Sequence, residues 1–133
     1  RDLHSFPTRR SSDLIQFFKD EIKFLNRLLD RYYIWLTKDK LVNQTALLKR
    51  NLKLLENNFI DSDLKIERHL HNLEKLYQNN SAQLEKEDRE DHIYLESKIA
   101  TLVKLFKDLK KETFSLTEIV MRSEETYRYV SAS

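Results

Sequence analysis

The chain has 133 residues, with 24 Lys and Arg against 22 Asp and Glu, a formal net charge of +2 at pH 7. Charge this close to balance argues against a dedicated nucleic-acid binder, whose footprint is a marked excess of Lys and Arg. With no glycine, no cysteine and one proline, the composition excludes phosphate-cradling loops, disulfide frames, thiolate zinc sites and cysteine nucleophiles. It points to long helices joined by short polar links.

The opening segment, residues 1–14, differs in character from the remainder of the chain. It holds the only proline, Pro7, and sets Arg1, Arg9 and Arg10 among small polar residues without usable periodicity. Its order, RDLHSFPTRRSSDL from Arg1 to Leu14, resembles residue for residue the translation of an Illumina sequencing adapter. That resemblance implies a non-native segment, outside fold reasoning. We expect it to be disordered or an accidental extension of the first helix, with Ser12 or Asp13 as an adventitious N-cap. The native N-terminus is then unknown. The three Arg and two Asp in this segment leave 21 basic and 20 acidic residues in residues 15–133, which read as one helical-bundle domain and resemble a bacterial helical protein.

The first helix is expected from about Ile15 to Thr37. Ile15, Phe18, Ile22, Leu25, Leu29, Tyr32 and Leu36 recur at steps of three and four, and Phe17, Phe24, Leu28 and Trp35 form a second line beside them. A stripe that wide needs cover from later segments. The turn falls at Thr37-Lys38-Asp39-Lys40. A second helix starts near Lys40 with Leu41, Thr45, Leu48, Leu52, Leu55 and Phe59 on one line, widened by Leu47 and Leu54. Glu56-Asn57-Asn58 weakens it, and Asp61-Ser62-Asp63 offers capping side chains for a new start. We therefore read a break or kink here; the alternative is one helix from 40 to 78.

From Leu64 to Gln78 the apolar face is Ile66, Leu70, Leu73 and Tyr77, and Asn79-Asn80-Ser81 is the clearest loop. The last helix is expected from Ala82 to about Tyr127, with a frayed tail to Ser133. Its first turns carry Glu85, Glu87, Asp88, Glu90 and Asp91, which complement the helix dipole. A seam continues at Leu95, Ile99, Leu102, Phe106, Leu109, Leu116 and Val120. Lys104, Lys107, Lys110 and Lys111 read as a solvated face.

The histidines are the one constellation that bears on chemistry. His71 with Glu74 and His92 with Glu96 have spacings that share a helix face, whereas His69 and His71 point apart. The paired Glu-x-x-His motifs of di-iron bundles and the His-Glu-x-x-His zinc pattern are missing from the sequence. No histidine lies in the His-x-x-Lys-Gly context of phosphotransfer bundles. The histidines thus read as surface or rim residues, and paired carboxylates such as Glu85 and Asp88 as an exposed run with ordinary acidity.

The sequence leads to an all-α antiparallel bundle of three or four long helices with coiled-coil-like packing and no β-sheet. We expect no enzymatic activity, no catalytic residue, no metal and no cofactor. The last helix should outrun its partners and leave Phe114, Ile119, Met121 and Val130 uncovered, a candidate association surface. The expected function is a cytoplasmic interaction or scaffolding protein that associates with itself or with another protein, without nucleic acid and without a membrane span. The alternative is a regulatory subunit or small-ligand sensor that binds between helices near Trp35.

Overall fold

In the computed structural model the described residues are 9–36, 41–79 and 82–132. Among them the chain is helical throughout and forms no strand: α1 Arg9–Arg31, α2 Tyr33–Leu36, α3 Leu41–Asn79 and α4 Ala82–Ala132. None of these helices is long and apolar enough to cross a membrane. The expected turn at 37–40, the Asn80-Ser81 part of the expected loop and residues 1–8 lie outside the described residues.

Contacts between helices fix their directions. Phe18 stacks on Phe59 and Asp30 pairs with Lys49, so α3 runs back as α1 advances. Likewise α4 advances from Asp88 to Tyr94 as α3 runs back from His69 to Lys65. The outer helices α1 and α4 are therefore parallel, and both are antiparallel to the central α3. The short α2 packs against α1, α3 and α4.

The core is the stripe that the spacing marks out. Ile15, Phe18, Ile22, Leu25, Leu29 and Leu36 are buried against Leu48, Leu52, Leu55, Phe59 and Ile66, and against Leu95, Ile99, Leu102, Phe106, Leu116 and Val120. Phe18 is its hub. Its ring centroid lies 5.5 Å from Phe59 in a stacked arrangement and 5.0 Å from Phe106 edge-on. Both geometries are favourable for aromatic quadrupoles.

Several expectations are corrected. The first helix, expected from about Ile15, starts at Arg9, so that residues 9–14 of the adapter-like segment extend it, and Ser11 is buried. Ser12 and Asp13 are then interior helical residues rather than caps. Nor does it reach Thr37 unbroken, because a turn at Tyr32 separates α1 from α2. Thr45 closes over the end of that short helix, its hydroxyl donating to the Leu36 carbonyl at 3.4 Å.

No break occurs between Glu56 and Asp63; α3 is continuous. The reason is phase. Leu55, Phe59, Ser62, Ile66 and His69 are all buried at alternating steps of four and three, so Ser62 continues the inward line instead of ending it. The polar residues there are also accommodated within the helix. Asn58 donates to the Leu54 carbonyl at 2.9 Å, and Lys65 pairs with Asp61 at 3.1 Å. The lines expected to widen the stripe do not bury. Phe17, Phe24, Leu47 and Leu54 are exposed, and only Trp35 and Leu28 are half-buried. The last helix continues past Tyr127 to Ala132 rather than fraying.

Candidate functional site

Two places on this frame hold side chains that packing alone does not explain. The first is the outer side of α4 near its C-terminal half. Phe114, Ile119 and Met121 are all substantially exposed, at 40%, 49% and 40%. Counting back along α3 from Lys65 to Leu41 carries α4 forward from Tyr94 to about Glu118, so α4 runs beside α3 to that level. Thr113, Leu116, Thr117 and Val120 fill the inward side, with the Thr113 hydroxyl donating to the Leu109 carbonyl at 2.8 Å. Phe114 is therefore exposed beside α3 because it lies off the inward side, whereas Ile119 and Met121 lie just past the level of Leu41, where the described part of α3 begins.

Nor do the three share one line. Phe114 and Met121 are two helical turns apart on the same side, while Ile119 is turned well away from both at ~100° per residue. The Lys110 ammonium lies 5.9 Å from the Phe114 ring, which places this stripe beside the lysine-bearing side of α4. The side chain of Val130 lies outside the described residues.

The second place is a polar cluster between α3 and α4. His69 is 2% exposed, sitting where the spacing runs the apolar seam of α3 through Leu70. Its Nε2 lies 3.3 Å from Asp88 Oδ1 on α4, and its ring centroid is 6.1 Å from that of His92. Distance alone does not make these hydrogen bonds. Both ring nitrogens of His69, Asp88 Oδ1, Ser62 Oγ and Asp63 Oδ1 lack a hydrogen-bond partner among the described residues. Such groups are costly to bury.

Burial sets the acidity of the pair. It pushes the His69 pKa below its ordinary 6.5; Asp88 and Asp91 pull in the opposite direction, and His92 reinforces the fall. Burial likewise pushes the Asp88 carboxyl above its ordinary 3.8, against the pull of His69 and His92. In both groups desolvation outweighs the charges nearby.

A cleft of about 190 Å³ opens beside His69, lined by Lys65, Arg68, Asn72, Asp91, Tyr94 and Leu95. Lys65, one of the lining residues, lies 5.5 Å from the Tyr94 ring and is paired with Asp61. The expected ligand pocket near Trp35 is thus not where this cleft lies. Trp35 sits in the short α2, half-buried, its backbone N–H donating to the Tyr32 carbonyl at 3.0 Å.

The reading of the histidines as surface or rim residues holds for His71, which faces Glu74 at 3.9 Å in solvent, and fails for His69. His92 is intermediate, 3.4 Å from Glu96 as the spacing suggests. Asp88, assigned to an exposed run, is largely covered. Among the described residues no group of three or more His, Asp or Glu side chains is placed to hold a metal ion. Comparison of the chain with known protein families, with curated proteins and with solved structures gave no match.

Proposed function

We propose that this chain is a non-enzymatic helical interaction protein that associates with copies of itself through the side of α4 bearing Phe114 and Met121. The observation that carries the reading is the outward placement of these two large apolar side chains on one line, while their neighbours Thr113, Leu116, Thr117 and Val120 fill the core. A bundle already closed on its inner side gains nothing internally from an outer Phe and Met. A partner helix laid along the line would remove both from water, and apolar stripes left on a folded surface commonly mark such contacts.

Light scattering on the purified chain tests this. A dimer or higher oligomer is expected. The double substitution Phe114→Glu with Met121→Glu should dissociate it with helicity unchanged, whereas Ile119→Glu, on the other side of the helix, should leave the assembly intact. A wild-type monomer across the micromolar range would sink the proposal. So would an assembly that Ile119→Glu dissociates and the double variant does not.

A further inference from the structure

The packing changes along the α3–α4 pair. Phe59 and Phe106 both meet Phe18 of α1. Counting from that level, the described part of α1 begins at Arg9 about level with Arg68. His69, Asp88 and His92 therefore lie at or beyond the level where the described part of α1 begins, in the contact between α3 and α4. At this edge the interface contains a buried imidazole with no hydrogen bond at either nitrogen among the described residues, 3.3 Å from an Asp88 Oδ1 that likewise accepts none. A cleft that the His69 side chain helps to line lies beside them.

We infer that the His69–Asp88–His92 cluster is an acid-operated release point, at which proton uptake by His69 parts α3 from α4 locally while the Phe18–Phe59–Phe106 core stays packed. A neutral imidazole fits the closed interface. An imidazolium there would need hydration that the closed helix pair denies it, and parting the helices supplies it. The charged and titratable groups around His69 are Lys65 and Arg68 on its own helix, and Asp88, Asp91 and His92 on α4. The first described side chains of α1 are the uncharged Ser11 and Ser12 and the exposed Asp13.

The direction comes from linkage. His69 binds its proton less readily in the closed form than in the open one, so the closed form is fully favoured above pH 6.5 and loses that advantage as pH falls below it. Asp88 acts in the opposite sense. Its raised value makes the closed form the better proton acceptor as pH falls toward 3.8, so part of the loss is regained at the acid end. The release window is therefore bounded above by 6.5 and below by the titration of Asp88.

Backbone hydrogen exchange on the full chain, corrected for the intrinsic pH dependence, reads this directly. Between pH 7.5 and 5.5 the opening equilibrium of segments 66–73 and 88–95 should rise by up to about tenfold, the limit for one proton over one pH unit below 6.5. Segment 52–59 should not change. His69→Leu should abolish the rise, and His69→Gln should do the same where leucine perturbs packing; His71→Gln on the exposed face should leave it. Asp88→Asn, which removes a charge favouring the imidazolium, should steepen the rise. A rise that persists in both His69 variants, an absence of any rise in the wild type, or a shallower response in Asp88→Asn would overturn the inference. None of these readouts depends on whether the chain self-associates.

Discussion

The bundle has two ends that are built from different materials. Around Phe18, three helices bury aromatic and aliphatic side chains, with Phe59 and Ile22 at 0% exposure and, among the described residues, no buried ionisable side chain at this level. Around His69, α3 and α4 bury an imidazole and a carboxylate oxygen that find no hydrogen-bond partner among the described residues. Yet α3 passes through both regions without a change of period. Helical phase, then, decides which positions face inward, and residue chemistry decides what that burial is worth. The same inward step stabilises at Phe59 and costs at His69.

The contrast breaks most visibly at the aromatic end. Phe59→Ala would empty a fully buried site, remove the ring stacked on Phe18 and leave a cavity that three helices cannot easily close. A loss of about 3–5 kcal/mol is expected, against a total of about 5–15 for an ordinary domain. Urea denaturation tracked by helicity measures it. A cost near 1 kcal/mol would mean that the region collapses onto the gap and is no tight centre.

At the polar end the sign reverses. His69→Leu replaces two unsatisfied ring nitrogens with an apolar side chain of similar size, and should raise stability at pH 7.5 by about 1–2 kcal/mol. The same denaturation series checks it. A loss of similar size would show that the imidazole makes a stabilising interaction with Asp88 after all, and the contrast between the two ends would vanish.

Most of the frame is legible from spacing, because a repeat of three and four in large apolar residues has only one good solution in water. Ile15, Phe18, Ile22, Leu25, Leu29 and Leu36 are buried as that spacing requires. The failures have two physical sources. Where polar residues keep the phase, at Ser62, His69 and Thr113, the apolar pattern stops while the helix and its inward line continue. Leu70, next to His69, then draws the expected seam one position aside. Where apolar residues leave the phase, at Phe17, Phe24, Leu47 and Leu54, size suggests burial that geometry denies. The candidate site suffers both errors. Asp88 merges into an acidic run whose other members explain themselves by the helix dipole, and only its pairing across to α3 shows otherwise. A phase-only reading, blind to residue type, would place His69 inside.

The smallest expected effect tests whether polar contacts help to set the register of the apolar end. Lys49 of α3 pairs with Asp30 of α1 and lies 5.5 Å from the Tyr33 ring, so it touches the helix-to-helix boundary at the turn. Asp30 is well exposed. An ion pair in that setting gains little Coulomb energy in water and gives up side-chain freedom, typically netting about 0–1 kcal/mol. The contact with Tyr33, itself exposed, adds at most a comparable amount. Lys49→Ala should accordingly lower stability by no more than about 1 kcal/mol, and salt at about 1 M should shrink the wild-type advantage further. If the substitution instead cost as much as emptying the Phe59 site, alignment of α1 on α3 would rest on this pair, and the aromatic hub would be filling space between helices already held in place.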